Sequence, residues 1–265
     1  MYIRTTLKHT IMKVTQIQYD IAWGAPAENM KRIETLIDRT LQTDLIVLPE
    51  MWSTGFDMEP ETIAEGADGA SLQWMKQTAA RLDCAVAGSI ATIDSGEYRN
   101  RFYFVRPDGQ YSFYDKHHLF SYAGENRRYT PGKERVVVEW RGVRIMLLVC
   151  YDMRFPVYAR CVDDYDMMLV VANWPVSRQH SWNILTQARA MENQCYLAAV
   201  NRIGTDGMCE YTGGTSLINP YGDIINRCPD STPSIITTDI DMEMLQSFRR
   251  KFPVLQDSDR FRLID

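Results

Sequence analysis

A thiol at Cys150, a carboxylate at Glu50 and an ammonium at Lys116 are three side chains that could share one reaction. A thiol attacks an acyl carbon once its proton has gone, so it needs a base. The attack then places negative charge on an oxygen, which a cation or backbone N–H groups can hold. Cys150 follows the apolar run Ile145-Met146-Leu147-Leu148-Val149 and precedes Tyr151-Asp152-Met153-Arg154-Phe155-Pro156. That order puts the sulfur where a buried strand turns toward a helix, as a nucleophile elbow does for serine, with the following N–H groups available as part of an oxyanion hole. The position also suits an inert buried cysteine, the ordinary fate of this residue type. Histidine is the usual base for a thiol, but the only histidines are His9, His117, His118 and His180; glutamate is the other choice. Glu50, in Leu48-Pro49-Glu50-Met51-Trp52, has apolar neighbours that favour proton uptake. A carboxylate that caps or pairs at a strand end would look the same. Lys116, in Tyr114-Asp115-Lys116-His117-His118, reads equally as a solvated lysine.

These residues matter only if a scaffold brings them together. Met12 to Tyr19 reads as a strand, and Ala25 to Gln42 as a helix with Met30, Ile33, Ile37 and Leu41 on one face. Leu45 to Leu48 is a continuous apolar run, as in a strand covered on both faces, and it stops at Pro49. A helix over Ser71 to Leu82 precedes strands at Ala85 to Ile93 and Arg99 to Val105. Pro107-Asp108-Gly109-Gln110 has turn chemistry, so Tyr111 to Asp115 returns antiparallel. Val136 to Trp140 and Val143 to Val149 form a second hairpin. Further strands are expected at Met167 to Ala172, Cys195 to Asn201, Thr215 to Ile218, Ile224 to Ile225 and Ile235 to Ile240, with helices over Ser181 to Glu192 and Met242 to Lys251. Glu50, Lys116 and Cys150 thus each stand at the end of a strand, and open α/β sheets collect their reactive groups beyond strand carboxyl ends. Mixed helices and strands without a fixed repeat predict one layered α/β domain over 12–265, with residues 1–11 as an N-terminal extension.

The composition narrows the partners. A net charge of −5 with basic and acidic residues interleaved argues against nucleic acid. The apolar runs are of strand length, too short for a membrane helix. Six cysteines without a CxxC pair read as reduced thiols, which implies a cytoplasmic protein. Adjacent His117 and His118 would point to opposite faces of a continuing strand, and no HExxH or Cys/His cluster accompanies them, so neither a metal nor a cofactor is expected. Trp52, Trp174 and Tyr122 are candidates to line a pocket, though aromatic residues more often simply pack. Arg127-Arg128 reads as a charged surface loop. There is no G-x-S-x-G, no Walker loop and no G-x-G-x-x-G.

Over Met12 to Ile240 the chain resembles the nitrilase, or carbon–nitrogen hydrolase, superfamily. The resemblance rests on LPEMWSTGF around Glu50, YDKHHLF around Lys116, CYDMRFP around Cys150, and the later ANWP, ARAMENQCY, NRIG and GGTSLINPYGDII. CYDMRFP is most similar to omega-amidases of the bacterial type, which hydrolyse the distal amide of 2-oxo acids such as 2-oxoglutaramate and 2-oxosuccinamate. Val157 stands where many members have glutamate, which reads as a branch marker. The resemblance implies a four-layer αββα sandwich. It further implies Glu50 as general base, Cys150 as nucleophile, and Lys116 with the Tyr151 N–H as the oxyanion's partners, in a two-step course through a thioester. It sets Glu125 near Lys116 and the substrate. Arg154 would brace the loop after Cys150 by pairing with a carboxylate, or meet a substrate carboxylate; the bracing role is the preferred reading. The partners implied are a small-molecule amide and a second copy of the chain, docked through the helices around 156–162 and 181–192. Rival readings are a carbamoyl-amino-acid or deaminated-glutathione specificity, or a binding protein that keeps the fold.

Overall fold

The computed structural model describes residues 11–38 and 40–263. In chain order the elements are β1 (Ile11–Gln18), α1 (Pro26–Leu36), β2 (Leu45–Val47), α2 (Pro60–Ile63), α3 (Ala70–Leu82), β3 (Ala85–Asp94), β4 (Glu97–Val105) and β5 (Tyr111–Asp115). Then follow β6 (Val137–Trp140), β7 (Val143–Val149), α4 (Pro156–Ala159), β8 (Met167–Ala172), α5 (Gln179–Glu192), β9 (Tyr196–Asn201), β10 (Ile203–Thr205) and β11 (Glu210–Thr212). The last are β12 (Ser216–Ile218), β13 (Ile224–Arg227), β14 (Ser234–Asp241) and α6 (Met242–Lys251). Residues 1–10 of the expected extension lie outside the described residues, and Ile11 already pairs with Asp241 in the β1–β14 ladder.

Local chemistry explains several boundaries. Proline opens α1, α2 and α4, where its missing N–H costs nothing and its fixed φ suits the first helical turn. The helix expected over Ala25 to Gln42 ends at Leu36, because Ile37 is extended and the Asp38 carboxylate accepts the Thr40 N–H at 2.8 Å in a local turn. Ile37 is still buried, so its apolar spacing reflects packing beyond the helix end. The β10–β11 hairpin was not expected; strands of three residues are too short to show an alternation.

Among the described residues the strands form two six-stranded sheets, ordered β14-β1-β2-β3-β4-β5 and β13-β12-β9-β8-β7-β6, plus the β10–β11 ribbon. Each sheet has a parallel centre, β1-β2-β3 in one and β7-β8-β9 in the other, with antiparallel flanks. In the first sheet the side chains alternate between two cores. Leu45, Val47, Ala85, Ala87, Phe102 and Phe104 face the second sheet, while Ile46, Val86, Tyr103 and Val105 pack with Ile33, Leu72, Met75 and Ala79 of α1 and α3. In the second sheet every residue from Ile145 to Val149 is buried, one face against the first sheet and the other toward Trp182 and Ala190 of α5 and Leu245 of α6. Helix, sheet, sheet, helix is the order of the layers, so the architecture is the expected αββα sandwich. Buried Gln16 reaches across its middle, donating from Nε2 to the carbonyls of Ala199 and Ser216 at 2.9 Å each. Among the described residues no helix is long and apolar enough to cross a membrane.

Candidate active site

The carboxyl ends of both parallel centres open on one edge of the sandwich. Glu50 comes from the turn after β2, Lys116 directly follows β5, and Cys150 directly follows β7. Two of these turns are conformationally unusual. Met51, after the glutamate, and Cys150 itself have φ of 43° and 50°, in the left-handed region that side chains with a Cβ rarely adopt. For Cys150 this is the sharp strand-to-helix elbow the sequence pointed to: the strand stops at Val149 and a 3₁₀ turn runs from Cys150 to Arg154.

Glu50, Lys116 and Glu125 are all buried and share one network. The Lys116 ammonium donates to Glu50 Oε1 at 2.9 Å and to both Glu125 oxygens, at 2.9 and 3.1 Å. Asn100, on β4, donates from Nδ2 to Glu50 Oε1 at 2.8 Å and to Glu125 Oε1 at 3.2 Å. Asn173, after β8 of the other sheet, donates its backbone N–H to Glu50 Oε2 at 2.8 Å and its side-chain Nδ2 to the Glu50 carbonyl at 2.6 Å. Three kinds of donor thus reach the Glu50 carboxylate: an ammonium, a side-chain amide and a backbone N–H.

Burial alone would pull the proton off Lys116, but Glu125 and Glu50 beside it more than offset this and hold the ammonium above its ordinary range. Burial pushes the Glu125 carboxyl up, against the pull of Lys116, and the nearby Glu50 adds to the rise. Burial likewise pushes the Cys150 thiol well above its ordinary value, Glu50 pushes the same way, and Lys116 opposes both. The resting sulfur therefore keeps its proton.

Cys150 opens on a cleft of about 550 Å³. Tyr151, Trp174 and Arg154 line it, as does Tyr122 at its exposed rim. Four of the seven site residues expected from the sequence line this cleft, and Glu50, Lys116 and Glu125 form the buried network beside Cys150. Trp52 does not line the cleft: it is fully buried, with its ring 5.0 Å from that of Trp74 in the core under α3. Arg154 departs from the expected pairing, since its Nη2 donates to the Ser181 hydroxyl at 3.0 Å and its guanidinium lies 4.8 Å from the Trp174 ring centre, without a carboxylate partner. His117 and His118 do not point apart, because β5 ends at Asp115; their rings meet edge to face at 4.5 Å and stack on Tyr158 and Phe155. Arg128 is exposed and paired with Glu61, as a surface loop would be. His9 lies outside the described residues.

Asn100, Asn173, Asp152 and Arg178 were missed by sequence reasoning. Asp152 is fully buried and accepts from the Val149 N–H, the Tyr114 hydroxyl, and both the N–H and Nδ1 of His118, at 2.8 to 3.0 Å. It therefore bolts the Cys150 turn to the segment that carries Lys116. Asn173 belongs to ANWP and Asp152 to CYDMRFP, so their motifs flagged them; Asn100 sits in a strand with no such signal.

A layered α/β sandwich that buries two carboxylates and an ammonium beside a cleft cysteine defines a class of thiol-dependent hydrolases. The carbon–nitrogen hydrolase family model matches residues 13–250, and the chain belongs to that family. It is 42% identical over 253 residues to an Escherichia coli (strain K12) protein named omega-amidase YafV, covering 95% of this chain and 98% of that one. A Bacillus subtilis (strain 168) protein named 2-oxoglutaramate amidase is 34% identical over 250 residues, covering 92% and 96%. The crystal structure of XC1258 from Xanthomonas campestris, a CN-hydrolase superfamily protein with an arsenic adduct in its active site, is 37% identical with a TM-score of 0.90, covering 96% of this chain and 99% of that one.

Proposed function

We propose that the protein is an omega-amidase, hydrolysing the distal amide of small 2-oxo dicarboxylic monoamides such as 2-oxoglutaramate and 2-oxosuccinamate. The observation that carries the reading is the buried Glu50–Lys116–Glu125 network set against Cys150 in a cleft sized for a small acid. The relatives named for that activity, at 42% and 34% identity over nearly the whole chain, support it.

In this reading Glu50 takes the thiol proton as the sulfur bonds to the amide carbon, and the carbonyl oxygen becomes an anion held by Lys116 and the Tyr151 N–H. The carbon–nitrogen bond then breaks, and the proton on Glu50 goes to the leaving nitrogen, which departs as ammonia. Glu50 next takes a proton from water, whose oxygen bonds to the thioester carbon. The carbon–sulfur bond breaks, the acid leaves, and the proton returns to the sulfur. Glu125 keeps the Lys116 ammonium in place. The chain works as one hydrolase domain, as a homodimer, and in the cytoplasm, where its six free thiols would stay reduced.

Ammonia release from 2-oxoglutaramate and 2-oxosuccinamate by purified protein, beside Cys150→Ala, tests the reading. Release by the wild type and none by the variant is expected. No release from either would end the omega-amidase assignment, and equal release would remove Cys150 from the mechanism.

A further inference from the structure

We propose that Arg178, with Arg154, forms the subsite that holds the substrate's carboxylate. This rests on the omega-amidase reading for the identity of the anion, while the site itself is built from two guanidinium groups that the fold leaves without a counter-charge.

Arg178 is half-buried in the cleft wall and stands 5.1 Å from the ring centre of Phe120, and among the described residues its guanidinium makes no hydrogen bond and no ion pair. Arg154, half-buried in the same cleft, bonds only to the Ser181 hydroxyl. Other half-buried arginines such as Arg135, with Asp164, and Arg249, with Asp166, have carboxylates; Arg106, which bonds the Ser112 hydroxyl and lies against Phe104, has none but stands alone, whereas Arg154 and Arg178 line one cleft. A ring face returns only part of the hydration that a partly desolvated cation loses, and an anion coming to it supplies the rest. Two of the acids lining the cleft are already occupied. Asp206 accepts from the Tyr211 hydroxyl and the N–H groups of Met208 and Cys209, and Asp57 from the Glu59 N–H.

The two arginines are held as a unit. The Ser181 hydroxyl that accepts from Arg154 donates to the Arg178 carbonyl at 2.8 Å, and the Trp174 Nε1 donates to that carbonyl at the same distance. Each guanidinium also rests on a ring tied to the reacting cluster. Phe120, against Arg178, donates its N–H to Glu125 Oε2 at 2.5 Å. Trp174, against Arg154, follows Asn173, which clamps Glu50. A carboxylate seated on the pair is therefore positioned by the same segments that position the base and the ammonium, which leaves the distal amide to meet Cys150. Planar guanidinium groups suit a carboxylate better than a lysine would, because two parallel N–H bonds fix its orientation.

The test compares wild type, Arg178→Gln and Arg178→Lys on two substrates and one ligand. KM and kcat are measured for 2-oxoglutaramate and for butyramide, a neutral amide, and glutarate is titrated as a protector of Cys150 against iodoacetamide, read by peptide mass. Arg178→Gln is expected to raise KM for 2-oxoglutaramate about 10- to 100-fold more than KM for butyramide. It should weaken glutarate protection by a similar factor, and Arg178→Lys should recover part of both. Parallel losses on the two substrates, or glutarate protection that is the same in Arg178→Gln, would overturn the proposal. The protection assay needs no turnover. If the wild type releases no ammonia from a 2-oxo acid amide while glutarate still protects in an Arg178-dependent way, the omega-amidase reading fails and the anion subsite stands.

Discussion

The Cys150 thiol stands in surroundings that oppose its ionisation: burial and the negative charge of Glu50 outweigh the attraction of Lys116. A thiol in that setting does not wait as a thiolate, so in the proposed mechanism its proton leaves to Glu50 as the sulfur attacks. The sign of the shift gives a pH prediction. Because the thiol is held above its ordinary range, alkylation of Cys150 by iodoacetamide should keep rising with pH through that range, and wild type and Cys150→Ala should show no difference in thiolate ultraviolet absorbance at neutral pH. A plateau of the alkylation rate near neutrality would contradict the neutral resting thiol. Glu50→Gln keeps the size of the side chain and removes the base, and should lower turnover by about 10³-fold. At this scale Cys150, Glu50 and Lys116 were legible because each lies in a distinctive local run. Asn100 was not, since it acquires its meaning from a glutamate 50 residues away.

Elements hold these residues in register through buried charge. Asp152 links the Cys150 turn to the end of β5, and Asp166 does comparable work at the opposite end of β7 and β8, accepting from Arg144 Nε and Nη2 at 2.9 and 2.7 Å and from Arg249 Nη1, on α6, at 3.0 Å. Burial pushes the Asp166 carboxyl up, but the hydrogen bonds and charge of Arg144, with Arg249, outweigh it and hold the group below its ordinary value. A carboxylate whose folded value is depressed stabilises the fold above its unfolded value and loses that contribution as pH falls through the folded one. Asp166→Asn is therefore expected to cost about 2 kcal/mol at neutral pH and clearly less under strongly acidic conditions, measured by denaturant unfolding. An equal loss at both would deny the ion pairs their role. The elements themselves were largely readable, because runs such as Met167 to Ala172 and helix Met242 to Lys251 carry their period locally. The early end of α1 was not, because apolar spacing continued to Ile37 and Leu41 after the backbone had turned away.

At the scale of the whole molecule, α4 and α5 each expose apolar side chains, as several other segments do. Val157 and Val162, on and just beyond α4, are 53% and 56% exposed, and Ile184 and Met191 on α5 are 51% and 56% exposed. Apolar side chains exposed on these two helices fit the proposed homodimer, since a partner would cover them. Sedimentation velocity should give a dimer for the wild type, and Ile184→Asp should weaken it about 100-fold by placing an unpaired charge in the contact. A wild-type monomer at assay concentration would remove the dimer from the reading.

Strand runs and helix periods are local properties, written into neighbouring residues by the geometry of the backbone, and so the layered α/β class could be read without coordinates; Glu50, Lys116 and Cys150 became candidates through the family motifs that carry them. The first sheet closes through pairings such as Ile11 with Asp241, and the two sheets meet through contacts such as Gln16 with Ala199, which join distant parts of the chain. That folding step surrounds Glu50 with Lys116, Asn100 and Asn173. It also leaves Arg154 and Arg178 facing the cleft without counter-charges, because desolvation and partner choice depend on which surfaces meet and not on which residues adjoin in sequence.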